Sequence, residues 1–139
     1  MARSLVEHGK SLGLIVDSQL RFSDYVSYML KKTYIAIKLL YPQRQYLDRN
    51  IKKELCDSLV LSHFNHCDYV YGPCLSSHDL YRIQKIQNHC IRFIFGIRRR
   101  NRVSYKPKEL SWLNMLNRRK LHALCLYYKL IKFNTIPTL

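Results

Sequence analysis

The side chains best placed to do chemistry on this chain are cations. Arg82, Lys85, His89 and Arg92 follow one another at spacings of three and four residues, which lines them along one side of a helix. Arg98, Arg99, Arg100, Arg102, Lys106 and Lys108 then crowd an eleven-residue stretch, 98–108, that holds no acid. Arg118, Arg119 and Lys120 form a third group, at the start of a further helical pattern, and Lys31 and Lys32 a fourth. Cations in the first turn of a helix oppose the helix dipole, so an external anion is what they would serve. Cations in such number neutralise phosphates and release counterions, which gives affinity for a nucleic-acid backbone without reading its bases. The competing reading is a set of solvated basic faces. The charge balance favours the polyanion: the net charge is +15, from 24 basic and 9 acidic residues, and residues 80–139 carry +13 of it with Glu109 as their one acid.

Catalytic chemistry finds less to work with. Two-metal catalysis needs clustered carboxylates, and Glu7, Asp17, Asp24, Asp48, Glu54, Asp57, Asp68, Asp79 and Glu109 are scattered, with no Asp-Asp pair. No P-loop, GxSxG or HExxH is present. His63, His66, Cys67, Cys74 and His78 fit no common zinc spacing, and no CxxC occurs among the 5 cysteines, so buried thiols and partly exposed histidines are expected in place of a metal or redox centre. The expectation is a chain with no activity of its own, no cofactor and no metal. Tyr69 and Tyr71 could stack on bases, though most of the 11 tyrosines read as packing residues.

These cations must be positioned by helices. With 139 residues and 47% hydrophobic content, one domain with one core is expected. No apolar run approaches the roughly 18 residues of a membrane span, and the N-terminus does not read as a signal peptide. The expected setting is therefore intracellular, nucleus or cytoplasm, with no membrane partner. The short β-branched run Leu14-Ile15-Val16 suits one N-terminal strand, with Gly13 marking a bulge or a close backbone approach. A first helix is expected after Ser23 as N-cap, burying Val26, Met29, Leu30, Thr33, Ile37 and Leu40 and ending at Pro42. A second follows Asp48 and buries Ile51, Leu55, Leu59 and Val60, with Arg49, Lys52 and Lys53 outside; it continues with a bend to Gly72-Pro73. A third is capped by Ser76 or Ser77 and stopped by Gly96, with Leu80, Ile83, Ile86, Cys90 and Ile94 inside. A fourth spans about Asn114 to Phe133, with Leu121, Leu124, Cys125, Tyr128 and Ile131 facing inward. The fold class is mainly α: a bundle of about four helices with one short N-terminal β-strand.

A family resemblance runs through the same segments. Residues 11–20, SLGLIVDSQL, resemble the YLGV-x-LD-x-L signature of reverse transcriptases from jockey-like and related non-LTR (LINE-type) retrotransposons. Residues 31–33 (KKT) resemble a KK-x in that family's first thumb helix. Residues 55–72 (LCDSLVLSHFNHCDYVYG) resemble LYNSLVLPHLDYCDVVWG, and 80–96 resemble L-x-x-LQ-x-LQN-x-x-R-x-I-x-G. Residues 109–139 resemble ELGWLPLEYRRKLHLLCLVYKALHG-x-AP-x-YL. The blocks keep the family's order and cover nearly the whole chain. Departures occur at Tyr71, Asn114 and Asn117, where the family favours Trp, Pro and Tyr.

What the resemblance implies is a non-catalytic piece of an RNA-directed DNA polymerase: the thumb and post-palm region, which clamps template–primer. Residues 1–22 would be a primer-grip-like strand and lead-in, with Leu12, Gly13 and Leu14 on the grip, and 23–139 a thumb-like helical domain. Lys31 and Lys32 match basic thumb positions, Gln84, Gln87, Asn88 and Arg92 match the third block, and Trp112, Arg118, Arg119, Lys120 and Lys129 the fourth. The family's metal-binding "[FY]ADD" turn belongs to a palm upstream, so a truncated reading frame or remnant is expected. The implied partners are RNA, DNA or an RNA–DNA hybrid, and a reverse-transcriptase palm domain. The alternative is a structural or protein-interaction module with no nucleic-acid role, binding through Leu14, Val16, Phe22 and Tyr25.

Overall fold

In the computed structural model, residues 8–11 and 13–133 are described. Leu12 and the segments 1–7 and 134–139 lie outside the described residues. The N-terminal strand is present as β2 (Leu14–Asp17), and it pairs antiparallel with a second strand, β1 (His8–Ser11), Ser11 facing Leu14. Gly13 takes φ +80° at the turn between them, so it serves a two-residue hairpin connection and not a bulge. The Asp17 carboxylate then accepts from the Arg21 and Phe22 backbone amides, at 2.8 and 3.4 Å, and closes the turn into the first helix.

Helix α1 (Ser23–Leu40) has Phe22, in the left-handed region, at its N-cap position, and no side chain caps it. Ser23 is therefore inside the helix, and its hydroxyl goes elsewhere. Tyr25, Val26, Met29, Leu30 and Thr33 are buried, while Ile37 and Leu40 are half-buried where the helix runs out toward Pro42. Helix α2 (Arg49–Leu55) is capped as its sequence suggests: the Asp48 carboxylate accepts from the Ile51 amide at 2.8 Å.

The expected second stripe does not survive. Ile51 and Leu59 are exposed, and Cys56, Val60, Leu61 and Phe64 enter the core in their place. Two causes act. Between Cys56 and Val60 the chain makes a π turn, followed by a 3₁₀ turn at Leu61–Phe64, so the period that carries the buried face changes twice. In α2, Arg49 lies over the Phe95 ring at 4.7 Å and Lys52 over Phe93 at 5.6 Å, so cations expected outside pack against the end of a neighbouring helix.

A single turn of helix, α3 (Asp68–Tyr71), places Tyr71 at the centre, its hydroxyl donating to the Phe64 carbonyl at 2.5 Å and its ring edge-on to Tyr25. Helix α4 (Ser77–Phe95) follows its sequence closely. The Ser76 hydroxyl accepts from the Asp79 amide, Gly96 closes the helix at φ +66°, and Ile83, Ile86, Cys90 and Ile94 are buried, with Leu80 half-buried at the edge. The core lies where α1, the 56–64 turns and α4 meet, and Leu14 and Tyr71 belong to it.

Helix α5 (Met115–Lys132) is capped by Asn114, which accepts from the Asn117 amide at 2.8 Å. The Gln87 amide donates to the Leu113 carbonyl at 2.7 Å and the Gln84 oxygen accepts from the Met115 amide at 2.9 Å, fixing the start of α5 on α4. The stripe expected to face inward faces out: Leu121, Leu124, Cys125, Tyr128 and Ile131 are all exposed, and Met115 alone in α5 is buried. The polar side of this helix contacts the body instead, through Arg118, Arg119 and His122.

Candidate nucleic-acid interface

The cations separate into those held by the fold and those left to meet a ligand. Arg82 belongs to the first group. Its guanidinium reaches the buried Asp79 carboxylate at 3.1 Å and the Ser27 hydroxyl at 3.1 Å, tying α4 to α1. Arg118 is also held, 3.5 Å from Asp57 and 3.3 Å from the Asn65 amide oxygen. Arg119 lies across Gly72, where a Cβ would meet its Cδ at 2.0 Å. Lys106 pairs with Glu109 at 2.7 Å and lies over Phe95 at 4.8 Å. Sequence spacing joined Arg118, Arg119 and Lys120 into one basic group; of the three, Lys120 is the exposed one.

Lys85, His89 and Arg92, three members of the α4 stripe, meet Arg99 from the following loop around one open groove, with Tyr34, Tyr81 and Asn88 completing its wall. The elements explain the convergence. Gly96 turns the chain back after α4, the Ile97 amide donates to the Arg92 carbonyl at 3.0 Å, and a turn closed by Asn101 N–H to the Arg98 carbonyl at 3.0 Å follows. Arg92 donates to the Asn101 carbonyl at 3.3 Å and so braces that turn from below. Buried Val103 pins its far end. Arg98, Arg99, Arg100 and Arg102 are left exposed on it. An adjoining groove continues the surface through Arg98 and Arg99 to Arg44 and Tyr41, the Arg44 guanidinium standing over the Tyr41 ring at 4.3 Å.

No carboxylate lines either groove. The electrostatic consequence is visible at His89, whose pKa is held below the ordinary imidazole range, first by burial and then by Arg92, Arg99 and Lys85. Its ring meets Tyr34 edge-on at 5.7 Å. The Arg92 Nε is buried and meets no hydrogen-bond acceptor among the described residues. A surface of this kind can hold phosphate oxygens on guanidinium and ammonium groups, and offers tyrosine faces to whatever the phosphates carry.

The other predicted positions lie apart. Lys31 is exposed on α1. Lys32 lies over Tyr28 at 4.5 Å and shares a cleft with Lys10, Gly13, His63 and His66, so one grip-like residue and one thumb-like lysine are neighbours there. Leu14 is buried in the core. Phe22 and Tyr25 are buried too, and Val16 half-buried, so the partner-binding face assigned to Leu14, Val16, Phe22 and Tyr25 is not a surface. Tyr71 is buried and unable to stack on a base, and Tyr69 is exposed. Cys56 and Cys90 are buried free thiols, Cys67 is half-buried, and Cys74 and Cys125 are exposed. Among the described residues no three His, Cys, Asp or Glu side chains gather where a metal could bind, and no helix is long and apolar enough to cross a membrane.

Sequence reasoning missed Tyr34, Tyr41, Tyr81 and Arg44. The seven-residue spacing of Tyr34 and Tyr41 on α1 was the available signal, since it puts both rings on one face. No protein-family model, curated protein or solved structure matches this chain.

Proposed function

We propose that the chain binds nucleic acid without base specificity, by neutralising backbone phosphates on the groove of Lys85, His89, Arg92 and Arg99 and on the exposed arginines of residues 98–102. The observation that carries this reading is the convergence of three cations and a histidine from two elements around one groove that no acid lines. Scattered surface lysines would find no such common centre. The resemblance to reverse-transcriptase thumb regions names the ligand: a template–primer duplex, RNA–DNA above all, recognised through its backbone shape. The chain acts as a clamp in this reading and supplies no catalytic carboxylate.

The test is binding to a fluorescent RNA–DNA hybrid across a salt series, comparing the chain with a variant carrying Arg98, Arg99, Arg100 and Arg102 changed to Ala. Affinity should fall steeply as salt rises, and the variant should show a shallower dependence. Binding no tighter than that of a neutral control protein would overturn the proposal.

A further inference from the structure

We infer that the outer face of α5 is a docking surface for an amphipathic helix with acidic flanks. This stands independently of the nucleic-acid reading, because it uses a different face of the molecule.

The amphipathicity of α5 is inverted. Its polar side is the one on the body: His122 Nδ1 is 2.5 Å from the Asp68 carboxylate, Arg118 pairs with Asp57, and Arg119 lies over Gly72. Its apolar side points away: Leu121, Leu124, Cys125, Tyr128 and Ile131 recur at helical spacing, and Leu124, Tyr128 and Ile131 are 65%, 60% and 61% exposed. Single exposed apolar residues are ordinary, but a continuous stripe along a helix of about 27 Å is the signature of a partner surface. A helix whose second half lies so open is also marginal in water without something packed on it.

Two features select the occupant. The first is charge. Residues 115–132 carry five cations (Arg118, Arg119, Lys120, Lys129, Lys132) and no acid. A second copy would bring cation against cation, whereas a helix with Glu or Asp beside its apolar stripe would pair with Lys120, Lys129 and Lys132. The second is shape. Near the end of α5 the stripe is concave, a depression walled by Leu124, Cys125, Tyr128 and Phe133 with Lys129 and Lys132 at its rim. Lys132 stands over the Tyr128 and Phe133 rings, at 5.5 and 5.8 Å. A hole of that kind receives one apolar side chain of a facing helix and offers its neighbouring carboxylate an ammonium group; a lipid surface has no use for the hole.

The experiment titrates the full chain into two labelled synthetic helices with the same leucine stripe, one with Glu at the flanking positions and one with Lys, and follows anisotropy and amide exchange. The Glu helix should bind saturably, weaken as salt rises, and slow exchange across residues 121–133. Leu124→Asp, at a position exposed enough to leave the fold intact, should weaken binding by about tenfold or more while leaving the circular dichroism spectrum unchanged. Leu124→Ala provides a second variant in which only packing is lost, and a smaller loss is expected there. Equal binding of both helices, or binding without protection of 121–133, would overturn the inference. So would concentration-dependent dimerisation abolished by Leu124→Asp, which would assign the face to a second copy. Adsorption to phosphatidylserine vesicles with no binding of the Glu helix would assign it to an anionic lipid surface.

Discussion

The Ser23 hydroxyl donates to the Asp79 carboxylate at 2.7 Å, joining the first residue of α1 to the first turn of α4 across fifty-six positions of sequence. The same buried carboxylate accepts from the Ser76 hydroxyl at 3.2 Å and from Arg82 at 3.1 Å. One acid thus serves the helix dipole, two hydroxyls and a cation. Replacing Asp79 with Ala should cost about 2–3 kcal/mol, because it strands Arg82 and both hydroxyls beside the core. Urea unfolding would measure this, and a loss below about 0.5 kcal/mol would show that the carboxylate is not a tie between the helices.

The division of the cations predicts which substitutions change binding and which change stability. Lys85→Ala and Arg99→Ala should each lower the salt dependence of RNA–DNA binding by about one charge, with little effect on unfolding. Arg82→Ala should do the reverse, leaving the salt dependence unchanged and lowering stability. If Arg82→Ala proves equivalent to Arg99→Ala in the binding assay, the internal assignment of Arg82 is wrong.

Arg118→Met should cost about 1 kcal/mol, since the Asp57 and Asn65 partners are partly solvated and Trp112 remains to donate to Asp57 at 3.3 Å. Nucleic-acid affinity should hardly change, which titration at fixed salt would show. This outcome would separate α5 from the phosphate-binding surface despite its basic first turns.

His89 carries a pH dependence whose sign follows from its lowered pKa. Between the folded and the unfolded pKa, the unfolded chain binds more protons than the folded one, so stability rises with pH across that window and is lost as pH falls through the ordinary histidine range. A bound polyanion offsets the fields of Arg92, Arg99 and Lys85, and should raise the pKa. Proton NMR of the His89 ring, with and without oligonucleotide, would read both effects; an unmoved pKa in the complex would place the phosphates elsewhere.

Gly72 and Arg119 are coupled by contact. A methyl at Gly72 would lie 2.0 Å from Arg119 Cδ, so Gly72→Ala must displace that side chain from the wall of α3. The backbone there has no left-handed strain, so the penalty is steric alone. Arg119→Ala should therefore rescue much of the loss, giving a coupling of about 1 kcal/mol in a double-mutant cycle. Additive effects would show that the two residues do not touch in solution.

Much of this architecture is legible in the sequence, for reasons that differ by element. Asp48, Ser76, Asn114 and Gly96 act through their own backbone, so their roles as helix starts and stops are local and readable. Ile83, Ile86, Cys90 and Ile94 keep one period through α4 and give its buried face directly. Ser23 misleads because a capping residue and a hydroxyl aimed at a distant carboxylate look alike in sequence. The 98–102 arginines were visible as charge, but their meeting with Lys85 and Arg92 depends on the turn that Gly96 begins. In α5 the periodicity of Leu121, Leu124 and Tyr128 is real, and only the direction of the stripe was unreadable, because His122 and Asp68 choose it from fifty-four residues apart.

The π turn at Cys56–Val60 has an implication for how this segment tolerates change in length. It carries one residue more per hydrogen-bonded loop than an α-helix does. Deleting one residue there would let ordinary helical bonding resume with no loss of pairing, yet it would swing everything that follows by about 100°. Phe64 and Tyr71 would leave the interior without a single unfavourable substitution. Among insertions and deletions, this stretch is the place where backbone bonding and side-chain placement part company, and where a change of one codon in length would matter more than most changes of identity.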